Sequence, residues 1–197
     1  MLLGLTLGST LLAPAARAQA PTPSGTGGSV SVAQPRRAPM PSRSVWLAKV
    51  RKKLAGATAE LDAAAAAAKD PTKLAIVLDI DNTSVQSHYH WPKPVRPTRR
   101  VARHASALGM HVFFVTGRTR SQIRGLGPIL SDDGYRYDHI YPRPAGARLA
   151  ASKQANRAKI VKRGFTVAMD IGNRHSDLVG ANTGITHKLP SLGGRLS

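Results

Sequence analysis

Residues 74–83 read LAIVLDIDNT. The apolar run from Leu74 is unbroken as far as Asp79. A strand half exposed to water alternates apolar and polar residues, so an unbroken run predicts a strand buried on both faces. Such strands sit inside parallel sheets covered by helices. The run then delivers two carboxylates, Asp79 and Asp81, at its carboxyl end. That is the end at which open parallel sheets bind their ligands.

Two further runs of the same kind follow, HVFFVT (111–116) and FTVAMDI (165–171). Tyr137 to Tyr141 predicts a weaker fourth strand and Gly184 to Leu189 a fifth. Helical spacing fills the intervals. From Ser44 to Lys69 it is carried by Val45, Trp46, Val50, Leu54 and Leu61 and an alanine run, and Asp70-Pro71 closes it. Pro97 to Leu108 stops at Gly109, Ser121 to Leu130 is weakened by glycines, and Ala150 to Arg163 stops at Gly164. Strands alternating with helices predict an α/β fold, a parallel sheet of about five strands flanked by helices.

The stretches before this domain have a different character. Residues 1–20 are apolar and end in two A-x-A sequences, Ala16-Arg17-Ala18 and Ala18-Gln19-Ala20. This is the pattern of an export signal peptide, although no Lys or Arg precedes the apolar stretch, and the run is short for a membrane span. A secreted, periplasmic or cell-envelope location is therefore expected. Residues 21–43 are rich in Pro, Gly, Ser and Thr and predict a linker. The folded domain is expected over residues 44–197.

The chain has no cysteine, which excludes a disulfide scaffold and a thiolate metal site. Lys and Arg number 29 against 10 Asp and Glu, a net charge of +19. Such a surface attracts anionic substrates and, non-specifically, polyanions. Against that background the few acids stand out. Asp79, Asp81, Asp170 and Asp177 fall in two short strings, LDIDNT and MDIGNRHSDL.

Each strong strand thus ends in polar residues. The first gives Asp79 to Thr83, the second Thr116-Gly117-Arg118, and the third Asp170 to Asn173 followed by Asp177. Lys153 and Arg157 share a helix face before the third. Together these supply what hydrolysis of a phosphate monoester requires. Asp79 is an oxygen nucleophile and Asp81 a proton donor and acceptor. Thr116 and Lys153 offer donors for phosphoryl oxygens, and the carboxylates suit magnesium.

In order and spacing these strings resemble the four motifs of the haloacid dehalogenase (HAD) superfamily. LDIDNT resembles its DxDxT motif, VTGR (115–118) the second, Lys153 in SKQANR the third, and IGNRHSDLVG (171–180) the fourth. The flanks, and HKLP (187–190), are most similar to subfamily IIIB acid phosphatases of secreted bacterial type. The resemblance implies a Rossmann-like HAD fold with a minimal cap, since only residues 84–110 separate the first two motifs. It implies Asp79 as nucleophile, Asp81 as acid/base, and Thr116, Gly117 and Lys153 as the phosphate cradle. Mg2+ would be held by Asp79, the Asp81 carbonyl and the fourth motif, with Asn173 and Asp177. The usual motif begins Gly-Asp where this chain has Gly172-Asn173, so the ion would lose one charged ligand. That departure keeps two other readings in view: a weakly active or non-catalytic binding or storage protein, and a basic nucleic-acid-associated phosphatase. His88, Tyr89, His90 and Trp91 follow the first motif and are placed either to line the mouth for stacking or to pack on the domain.

Overall fold

The structure, a computed structural model, describes residues 38–196. The expected signal peptide and the linker as far as residue 37 lie outside the described residues. Five strands form one parallel sheet in the order β3-β2-β1-β4-β5. They are β1 (Leu74–Leu78), β2 (His111–Thr119), β3 (His139–Arg143), β4 (Thr166–Gly172) and β5 (Ile185–Lys188). The expected α/β class and strand number both hold.

The central position of β1 follows from its composition. All five of its residues are buried, and it pairs with β2 on one side and β4 on the other. Leu78 is in register with both Phe114 and Ile171. The ends of the three strongest strands therefore lie side by side, and their polar tails meet.

Alternation along the strands sorts side chains onto two faces. Ile76, Leu78, Val112, Phe114, Met169 and Ile171 face the larger core. It is covered by α1 (Arg43–Lys53), α2 (Ala57–Ala67), α3 (Arg96–Ala107) and α4 (Leu126–Asp132) through Trp46, Leu61, Val101 and Leu130. Ala75, Val77, Phe113, Val115 and Val167 face the smaller core, where Ile160 of α5 (Leu149–Lys162) packs. Among the described residues no helix is long and apolar enough to cross a membrane.

The single helix expected from Ser44 to Lys69 is two. It breaks at Gly56, whose φ of 89° is open to glycine at little cost. The break lets Ala57 and Leu61 reach the core as Trp46 and Val50 do. Residues just before Ser44 also pack on this body. Ser42 caps α1, Met40 packs on the core, and Tyr89 donates its hydroxyl to the Pro41 carbonyl at 2.8 Å. The helix expected from Ser121 is confined to α4, because Gly125 at φ 79° sets its start.

Candidate active site

After β1 the chain closes a tight loop. The Ile80 carbonyl accepts from the N–H groups of Thr83, Ser84 and Val85, with Asn82 in the left-handed region at φ 52°. Asp79 keeps its ladder bond to the Ile171 carbonyl at 3.0 Å. Asp79 is thus fixed as part of the sheet, while Asp81 hangs from the loop beside it. Both line one cavity of about 350 Å³, with Gly117, Arg118, Gln122, Arg143, Leu149, Lys153 and Arg174.

Lys153 enters from α5 and is 1% exposed. Its ammonium donates to Asp79 Oδ1 at 2.7 Å and to Asp177 Oδ1. Burial alone would favour neutral lysine, but the charges of Asp79 and Asp177 outweigh it and raise its pKa. Burial and the nearby charge of Asp177 push the Asp79 carboxyl up to about 7 against the pull of Lys153. Thr83 Oγ1 donates to the other Asp79 oxygen at 3.3 Å.

Asp81 is held differently. Arg118 grips it with two bonds, Nε to Oδ2 at 2.8 Å and Nη2 to Oδ1 at 2.7 Å, and Ser87 adds a third at 2.5 Å. Burial raises this carboxyl, but the bonds from Arg118 and Ser87 more than reverse it, leaving it below its ordinary value. The two carboxylates are therefore pushed apart in acidity by their surroundings. Arg118 also stacks on Trp91, 5.1 Å from the ring centroid.

Thr116 is wholly buried beside Gly117 and is not itself among the cavity residues; its hydroxyl oxygen accepts from the Arg118 N–H at 3.1 Å. Asp177 has both oxygens engaged, one by Lys153 and the other by the Arg174 N–H at 2.8 Å. Through the first of these bonds it orients Lys153. Gly172 makes this possible, since a Cβ there would fall 2.2 Å from the Asp177 Cβ. Behind the loop, the wholly buried Arg157 donates to the carbonyls of Asp177 and Val179, and its Nε lies 3.9 Å from Asp170 Oδ1.

Asn173 is 1% exposed, and its Nδ2 donates to the Leu196 carbonyl at 2.9 Å. Asn82 donates to the same carbonyl at 3.3 Å. That fixes the Asn173 amide and leaves Oδ1 buried with no partner. Lys188, from the HKLP string, donates to the Asn173 carbonyl. Among the described residues no group of three or more His, Cys, Asp or Glu is placed to hold a metal. By donor chemistry the Asp79 carboxylate, the Asp81 main-chain carbonyl and the orphaned Asn173 oxygen suit a hard divalent cation.

Of the aromatic loop, Tyr89 stacks on Trp46 and packs inward, and Trp91 is exposed. None of these rings is among the cavity residues. Arg143, Gln122 and Leu149 were not singled out by sequence. Arg143 ends a strand, the position that flagged the other site residues, but β3 was too weakly patterned to mark its end.

The family described as HAD superfamily, subfamily IIIB (Acid phosphatase), matches residues 88–191, more than half of the chain. The chain belongs to this family. A member of subfamily IIIB is a phosphoric monoester hydrolase. The match begins after Asp79 and Asp81, so those two carboxylates rest on the geometry above. Two solved structures share the HAD fold. The class C acid phosphatase of Bacillus anthracis superposes with a TM-score of 0.58 at 16% identity, covering 72% of this chain and 68% of that one. The class C acid phosphatase of Bacillus anthracis with tungstate bound gives 0.56 at 18% identity, covering 71% and 67%. Curated proteins return no match.

Proposed function

We propose that this HAD phosphatase is magnesium-dependent and works through a phosphorylated Asp79. The observation that carries this reading is the cavity lined by Asp79, Asp81 and Lys153, with Lys153 held between Asp79 and Asp177. A bound Mg2+, held by Asp79, the Asp81 carbonyl and Asn173, would keep the Asp79 carboxylate ionised and offset charge on the phosphoryl oxygens.

In the first step an Asp79 oxygen bonds to phosphorus as the ester P–O bond breaks. Asp81 gives its proton to the departing alkoxide. In the second step Asp81, now a carboxylate, takes a proton from water. That water attacks phosphorus and the bond to Asp79 breaks, releasing inorganic phosphate. Lys153, the Thr116 hydroxyl and the Gly117 N–H stabilise the phosphoryl oxygens throughout. Turnover of p-nitrophenyl phosphate that survives exhaustive chelation would overturn the metal requirement. The export reading rests on residues 1–20 alone; recovery of the protein uncleaved in the cytoplasm would overturn it.

Arg118 sets the pH at which the first step runs. Asp81 must carry a proton to act as the acid, and Arg118 lowers its affinity for one. Arg118→Gln is expected to move the alkaline limb of the pH–rate profile upward. An unmoved limb would show that another group is the acid.

Asn173→Asp is expected to tighten Mg2+ binding by about tenfold or more, because a charge joins the ligand set. It also replaces a donor to the Leu196 carbonyl with a second acceptor. The metal-free protein should therefore melt lower and the magnesium-induced rise in Tm should grow. Thermal melts with and without magnesium check both, and an unchanged response to the ion would remove Asn173 from the ligand set.

A further inference from the structure

The cavity holds more positive charge than one phosphate needs. Lys153 is balanced by Asp79 and Asp177, and Arg118 by Asp81. Arg143 and Arg174 line the same cavity, and neither forms an ion pair among the described residues. Arg143 is nonetheless held firmly. Its Nε donates to the Gly117 carbonyl at 2.9 Å and its Nη1 to the Ala147 carbonyl at 2.8 Å. The Nη2 side of its guanidinium is left for something else. Gln122 spends its oxygen on Thr119 and retains its amide N–H groups. The cavity has one large aliphatic side chain, Leu149, and no aromatic ring.

Resting on the phosphomonoesterase reading, we propose that the substrate is a small aliphatic phosphate ester with a second anionic group, a carboxylate or a second phosphate, received by Arg143 and Arg174. A guanidinium pinned through two of its N–H groups presents the rest with little entropy left to lose. A volume near 350 Å³ suits a molecule of this size. Arg174 is exposed and reaches the anion from the rim.

The test pairs compounds that differ only in the second anion: glycerol phosphate against phosphoglycerate, and fructose phosphate against fructose bisphosphate. Two readouts are taken, kcat/KM for the full chain and equilibrium binding to its Asp79→Asn form. The doubly anionic partner should be preferred by about tenfold to a hundredfold in at least one pair, the range for hydrogen bonds to charged groups. The pair that shows it tells carboxylate from phosphate. Arg174→Gln should cut that preference at least about threefold. Moderate salt should leave most of it, because a direct contact is screened less than diffuse attraction. Equal binding within both pairs, or a preference that salt abolishes and Arg174→Gln leaves alone, overturns the proposal. Hydrolysis without preference overturns it while the phosphatase reading stands. Preference in binding with no hydrolysis of any ester supports it and overturns the phosphatase reading.

Discussion

Asp79→Asn is expected to lower turnover of p-nitrophenyl phosphate by at least about a thousandfold, the scale on which loss of a nucleophile is felt. The amide has the same shape, so the β1 ladder and the Ile171 contact remain. Lys153 keeps Asp177, and the buried cluster loses one of its two like charges. Because burial already pushes the Asp79 carboxyl up to about 7, replacing it with a neutral group should cost little stability. The expected pattern is a dead enzyme with an unchanged or slightly raised Tm. An active variant would remove Asp79 as nucleophile, and an unfolded one would show that the ionised carboxylate is structural.

Arg157→Ala is expected to cost about 3–5 kcal/mol, the range for breaking one side of a buried charge pair. Three losses combine: the counter-charge of Asp170, and the donors to the Asp177 and Val179 carbonyls. The pH dependence has a definite sign. Burial pushes the Asp170 carboxyl up to about 7, with Arg157 opposing. The folded state therefore binds this proton more tightly than the unfolded one, and stability falls as pH rises from the ordinary carboxylate range through about 7. Removing Arg157 raises the carboxyl further and steepens that fall. Urea unfolding at about pH 5 and about pH 8 should show a larger deficit at the higher pH. An equal deficit at both would show that Asp170 does not feel Arg157. Activity should fall as well, since Asp177 sits on the loop that Arg157 holds.

The sheet was legible because its strands are extreme. Runs as apolar as LAIVL, HVFFV and FTVAM have one stable environment, and their polar ends then had to meet. Lys153 was legible through its place on a helix between two such ends. The break at Gly56 was not, because helical spacing continues across it and only the need to bury Leu61 decides the turn. The bond from Lys153 to Asp177 was not legible, since spacing gives proximity and not which atom each oxygen faces. Arg118 stood in a recognised string, yet its grip on Asp81 depends on a loop conformation that no periodicity records. Arg143 and Leu196 act through contacts between distant segments, which leave no local trace.

The Leu196 carbonyl joins two asparagines, 114 and 23 residues earlier in the chain. Synthesis runs the other way, so all five strands leave the ribosome before the residue that orients both amides. Until Leu196 arrives, Asn173 can turn either its oxygen or its nitrogen inward. A nascent chain halted before Leu196 would hold every strand end discussed above and still lack a fixed Asn173 amide after the fourth. In the proposed magnesium site, the arrival of Leu196 would thus decide when Asn173 can first serve the ion.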